Sequence, residues 1–180
     1  MSRSLDDLIP SFLSPVQDAL SRCESEGHEL RVFYTRRDVW EQARLWRQSR
    51  TGGEIRSAIR KLEQSGAGWL AEVVHDVGPQ YGRWATNALP GLSWHQHGEA
   101  VDAFVSVRGR AVWASGHPGY RAWAEAAKAA GLVSGYFWDK RDAVHVQARR
   151  DRVRNLYSWQ ELDQLMQAEF GPQAPAYPAG

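Results

Sequence analysis

Apolar residues recur at helical spacing early in the chain. Val16, Ala19, Leu20 and Cys23 share one face of a predicted helix over 15–26, with Pro15 suited to its first turn and Gly27 ending it. Leu30–Tyr34 reads as a short strand, in which Leu30, Val32 and Tyr34 alternate with Arg31 and Phe33. Asp38 is placed to cap the next helix, with Glu41 completing a capping box, and Val39, Gln42, Leu45 and Trp46 share its face. Thr51-Gly52-Gly53 breaks that helix. Helical spacing returns over 54–75 in two runs separated at Gly66–Gly68, either an inserted helical subdomain or lid, or a plain helical pair packed on the core.

Residues 76–92, rich in Gly, Pro and Asn, read as loop. Ala100–Val107 alternates Val101, Ala103, Val105 and Val107 with Asp102 and Ser106, the period of a strand. Tyr120–Ala130 is an alanine-rich helix closed by Gly131, Val144–Gln147 a short strand, and Ser158 with Glu161 a capping box opening a last helix through Phe170. The pattern predicts an α+β fold: helices first, then a small antiparallel sheet flanked by helices. One domain over 1–170 is expected, followed by a tail over 171–180 with too little apolar surface to order itself.

Composition changes this picture little. At 180 residues, 43% hydrophobic and with a net charge of +1, the chain is an ordinary globular protein, and its charge dictates no partner. The nine Trp are numerous, which suits core filling or a surface for flat or sugar-like ligands. Cys23 is the only cysteine, so no internal disulfide and no multi-cysteine metal site exists. No run approaches 18 apolar residues, and Asp6 and Asp7 interrupt the N-terminal stretch, so neither a membrane span nor a secretory signal is expected. Residues 31–61 carry nine Lys or Arg against three acidic residues, and Arg149, Arg150, Arg152 and Arg154 cluster later, but no nucleic-acid motif accompanies them and no nucleic-acid partner is expected.

The polar residues with chemical potential gather in two places. His95 and Asp102 lie in the stretch Ser93–Asp102, and Asp142 with His145 follows about forty residues later. Two imidazoles and a carboxylate are three ligands for a catalytic zinc, whose fourth position stays open for water. Gly98 permits a tight turn between His95 and Asp102. Asp142, three residues before His145, is a candidate base for the water's proton. Arg36 and Arg37, just after the first strand, are candidates for a fixed cation facing an oxyanion or clamping a substrate carboxylate.

These residues resemble the peptidoglycan-cleaving zinc peptidases that include D-Ala-D-Ala carboxypeptidases and dipeptidases and the phage L-alanyl-D-glutamate endolysins. The family pattern S-x-H-x-x-G-x-A-x-D is met by Ser93, His95, Gly98, Ala100 and Asp102, and its acidic-x-x-His pattern by Asp142 and His145. An upstream Arg, Glu-Gln, Leu pattern is met by Arg37, Glu41, Gln42 and Leu45, and the stretch Ala85–Gly91 and Gly131-Leu132 also look like endolysin-type members. The resemblance covers about residues 8–150. It implies the fold shared with the hedgehog signalling domain, zinc on His95, Asp102 and His145, Asp142 as general base and Arg37 on the substrate or oxyanion with Arg36 as the fallback. Ser93 and His97 become substrate-facing residues, although His97 competes with His95 as ligand. The segment near 52–84 is longer than the family expects, and Val133-Ser134-Gly135-Tyr136 stands where members often carry Trp-Gly-Gly.

The implied activity is hydrolysis of an amide in the peptidoglycan stem peptide by a zinc-activated water, with the L-Ala-D-Glu bond first in line. A D-Ala-D-Ala carboxypeptidase or dipeptidase is the alternative enzyme, and a non-catalytic zinc-containing binding module the alternative without chemistry. The expected partner is peptidoglycan or its peptide fragments. The protein is expected to be a monomer, made in the cytoplasm without a signal peptide and acting on the cell wall after release or export.

Overall fold

The computed structural model describes residues 2–171, so the expected disordered tail falls almost wholly outside the described residues. In chain order the elements are α1 (Pro10–Ser25), β1 (Glu29–Tyr34), α2 (Val39–Arg47), α3 (Gly52–Gln64), α4 (Gly68–Asp76), β2 (Ala100–Val107), β3 (Arg110–Val112), α5 (Pro118–Ala129), β4 (Val133–Ser134), β5 (His145–Gln147), α6 (Val153–Leu156) and α7 (Trp159–Phe170). They form two compact units. One takes the residues up to Arg37 together with His97–Arg150; the other takes Asp38–Gln96 together with the segment from Asp151.

All the strands lie in the first unit. They form an antiparallel sheet in the order β1-β2-β5-β4, with β3 paired to the far end of β2. This is the α+β arrangement with a small antiparallel sheet that the pattern predicts. Helices α1 and α5 cover one face. Phe12, Val16, Ala19 and Cys23 from α1 and Trp123, Ala126 and Ala127 from α5 enclose Val101 and Ala103 of β2 and Val146 of β5. Burial pushes the Cys23 thiol up to about 11, so it is an inert core residue.

Two local expectations change. The first helix begins at Pro10, not at Pro15, with Pro10 in its first turn and Pro15 inside. The earlier start buries Phe12, and that burial outweighs the one backbone hydrogen bond Pro15 cannot make. The alternation of Leu30, Val32 and Tyr34 is also broken. Val32 pairs with Ala103 and Tyr34 with Asp102, leaving Phe33 as an extra residue in a bulge. Leu30 and Val32 pack against the helices, while Tyr34 joins the face of the sheet that Asp102 occupies.

The second unit is helical. Thr51 caps α3 through a capping box with Glu54, so Gly52 and Gly53 open a helix that the sequence reading starts at residue 54. The α3–α4 pair is built into this unit beside α2 and α7: the Leu70 N–H donates to the Asp163 carboxylate (2.8 Å), and Arg47 donates to the carbonyls of Val74 (2.8 Å) and His75 (3.0 Å). Ser158 and Glu161 form the expected capping box of α7. Strands β3 and β4 and helix α6, two to four residues each, are too short to leave a period in the sequence. Among the described residues no helix is long and apolar enough to cross a membrane.

The first unit depends on Trp123, which is fully buried and donates from its indole N–H to the Val144 carbonyl (3.2 Å) just ahead of β5. Trp123→Ala is expected to lower stability by about 3–5 kcal/mol. Urea denaturation of the metal-free protein measures this, and a loss below about 1 kcal/mol would place the core elsewhere.

Candidate metal centre

The structure builds the site around one cross-strand pair. Asp102 of β2 stands directly opposite His145 of β5 in the antiparallel register, so both side chains leave the same face of the sheet. His145 Nδ1 lies 2.9 Å from Asp102 Oδ1, and His145 Nε2 lies 3.0 Å from Gln147 Oε1. His95 comes from the 3-10 turn Trp94–His97. Each of the three offers one ligand atom, and the three atoms lie within 4.8 Å of one another. The group is well sheltered, His95 being 3% and Asp102 9% exposed.

Local sequence explains how these residues reach their places. Gly98 adopts φ +67°, and a Cβ there would sit 2.9 Å from the Asp7 carbonyl oxygen; its own carbonyl accepts the Ile9 N–H (3.1 Å). Only glycine satisfies both demands, so the turn between His95 and Asp102 requires it. The loop that leads to His95 is held by two glutamines. Gln42 donates to the Ala88 carbonyl (2.6 Å), and the Gln96 carboxamide oxygen accepts the N–H groups of Gly91 (2.8 Å) and Ser93 (3.4 Å). Ser93 stands just before the turn, its carbonyl accepting the Gln96 N–H. His97 closes the turn, half-buried, and is not a member of the metal group.

Asp142 is exposed and precedes β5. Its N–H donates to the Gly135 carbonyl (2.9 Å) and its carbonyl accepts the His145 N–H (3.3 Å). A Cβ on Gly135 would lie 2.6 Å from that Asp142 carbonyl, so the segment carries a glycine where the Asp142 backbone needs one. Arg37 donates from Nε to the Tyr34 hydroxyl (2.9 Å) and stacks on the Tyr34 ring at 4.4 Å, and Tyr34 is the β1 partner of Asp102. The bulge therefore leaves the Arg37 guanidinium tethered to the residue that pairs with Asp102. Arg36, the alternative cation, is half-buried, and its carbonyl accepts the Ser2 N–H (3.3 Å).

Burial alone would push the His145 pKa below its ordinary 6.5. The hydrogen bond and charge of Asp102, the charge of Asp142 and the bond to Gln147 outweigh burial and hold the pKa above that value. Two imidazole nitrogens and one carboxylate oxygen suit a divalent ion with an open position, and zinc is the default for that donor set.

Three residues at this site leave weaker traces in the sequence. Tyr34 is hidden by the bulge. Gln147 is two residues after His145, and strand periodicity puts it on the same face. Trp138 sits with its ring 5.3 Å from the His145 ring. Parts of the basic stretch are occupied internally: Arg50 stacks on Trp46 and donates to the Thr86 carbonyl (2.8 Å), while Arg47 holds α4 as described.

No family model and no curated protein matches the chain. Among solved structures, the chain is similar to a zinc-bound mutant of the vancomycin-resistance D,D-pentapeptidase VanY from a VanB-type cassette. The TM-score is 0.47 and the identity 17%, over 86% of this chain and 83% of that one.

Two outcomes follow from the geometry. His95→Ala, Asp102→Ala and His145→Ala should each abolish zinc binding in equilibrium dialysis, and stoichiometric zinc in any of them would remove that residue from the ligand set. The raised His145 pKa means that, without metal, its proton stabilises the fold fully below pH 6.5, and that this stability is lost as pH rises through the folded value. The melting temperature of chelator-treated protein should fall across that window. A melting temperature that rises there would contradict the assignment.

Proposed function

We propose that the chain is a zinc peptidase that hydrolyses an amide bond of the peptidoglycan stem peptide, the L-Ala-D-Glu bond before D-Ala-D-Ala. The observation that carries this reading is the convergence of His95, Asp102 and His145, drawn from motifs 43 residues apart in the case of Asp102 and His145, with the Asp142 carbonyl accepting the His145 N–H and its charge acting on that imidazole. A purely structural metal site has no use for an additional exposed carboxylate three residues before one of its members.

A zinc ion held by His95, Asp102 and His145 would supply Lewis acidity for the hydrolysis. The chain's own residues do the rest. Asp142 takes the proton of the attacking water and hands it to the departing amine. Arg37, immobilised on Tyr34, supplies a fixed positive charge for the developing oxyanion or for a substrate carboxylate. Ser93 and His97 flank His95 in sequence and are assigned to substrate contact.

The first unit also offers a place for the substrate. A cleft of about 620 Å³ is lined by Lys128, Ser134, Phe137, Trp138 and Arg150 among others, within the size range of small-ligand sites. Trp138 joins it to His145, and Phe137 and Trp138 present apolar surface to solvent. Two cations and two aromatic rings suit an acidic peptide, and the stem peptide carries free carboxylates.

Digestion of purified peptidoglycan, with and without a chelator and with products read by mass spectrometry, tests this function. Chelator-sensitive release of peptides is expected, with new termini at L-Ala and D-Glu. Absence of cleavage by protein holding one zinc per chain would overturn it in favour of a binding role. Asp142→Ala should keep its zinc and lose about 10²–10⁴-fold in turnover. Loss of zinc in that variant would make Asp142 a ligand instead.

A further inference from the structure

Gln147 is buried at the end of β5, between Ala100 of β2 and Val133 of β4. Its carboxamide nitrogen donates to the Arg149 carbonyl at 2.5 Å. A carbonyl only accepts, so this contact decides which end of the amide is nitrogen. The carboxamide oxygen therefore faces His145 Nε2 at 3.0 Å, and His145 Nε2 must be the donor. An imidazole protonated at Nε2 presents a lone pair at Nδ1. That lone pair points at Asp102 Oδ1, another acceptor, 2.9 Å away. Nδ1 is therefore the His145 atom that faces Asp102, another member of the metal group.

We propose that Gln147 is the positioning residue that makes Nδ1 the metal-donating atom of His145. The inference rests on the metal reading above. The anchor of Gln147 is also built in. Arg149, whose carbonyl holds the amide, pairs through its guanidinium with the buried Glu99 (2.7 Å from Nε and 2.6 Å from Nη2). The Ala148 N–H donates to the Glu99 carbonyl at 2.9 Å. Glu99 is the residue immediately before β2, so one side chain locks the segment after β5 to the strand that carries Asp102. The relay Glu99, Arg149, Gln147, His145 sets the orientation of one ligand from the same point that launches another.

The test is zinc affinity, measured by competition with a chromogenic chelator. Gln147→Leu, which keeps the bulk and removes the acceptor, should weaken binding about 10–100-fold. Gln147→Glu, which keeps an acceptor towards Nε2, should retain more affinity than the leucine variant. Nitrogen-15 NMR of the zinc-loaded wild type should show His145 protonated at Nε2 and ligated at Nδ1, and this holds whether or not the variants fold. Ligation through Nε2, or a Gln147→Leu protein with lowered stability but unchanged zinc affinity, would overturn the inference alone. A wild type that takes up no zinc in the same titration would overturn the metal reading and the inference with it.

Discussion

The register between β2 and β5 is the constraint on which the rest of the site depends. Val101 and Ala103 of β2 and Val146 of β5 are buried under α1 and α5. Side chains alternate along a strand, so burying these three leaves Asp102 and His145 on the opposite face, one directly across from the other. A slip of one residue would send His145 into the apolar core and Val146 into the polar face, and the apolar packing forbids it. The ligand geometry is thus set by hydrophobic burial on the other side of the sheet. β5 pairs over only three residues with β2 and two with β4, so the fully buried Trp123 beneath it, bonded to Val144, matters more than its size alone suggests.

Around that pair, small backbone devices aim the remaining groups. Gly98 lets the chain turn where a Cβ would strike Asp7, and Gly135 lets the Asp142 backbone approach where a Cβ would strike its carbonyl. The bulge at Phe33 rotates Tyr34 onto the Asp102 face, and Tyr34 in turn holds Arg37. The result is a tethered guanidinium on the partner of Asp102 and an exposed carboxylate just ahead of His145. The electrostatics agree with this division: Asp102 and Asp142 together draw positive charge to His145 against the penalty of burial.

Much of this was legible in the residues. β2 has the predicted bounds because its apolar alternation is long, and the capping box at Ser158 and the Asp38 side chain accepting the Glu41 N–H mark helix starts because capping chemistry is local. The metal group was legible because its three members lie in spaced motifs, and the structure brings those same three together. What escaped was set by tertiary packing. The start of α1 follows from burial of Phe12, the role of Tyr34 from a one-residue bulge, and the orientation of Gln147 from a carbonyl two residues on. The helical stretch over 54–75 showed its period in the sequence, but its place beside α2 and α7 is a matter of long-range contacts.

X-ray absorption at the zinc edge of the loaded protein tests the central claim most directly. The expected result is a four-coordinate ion with two imidazole nitrogens and light-atom ligands at about 2.0–2.2 Å, and one of those ligands exchangeable with solvent. A six-coordinate shell of oxygens, or a shell with one imidazole or none, would contradict the assignment of His95, Asp102 and His145 as a catalytic zinc centre.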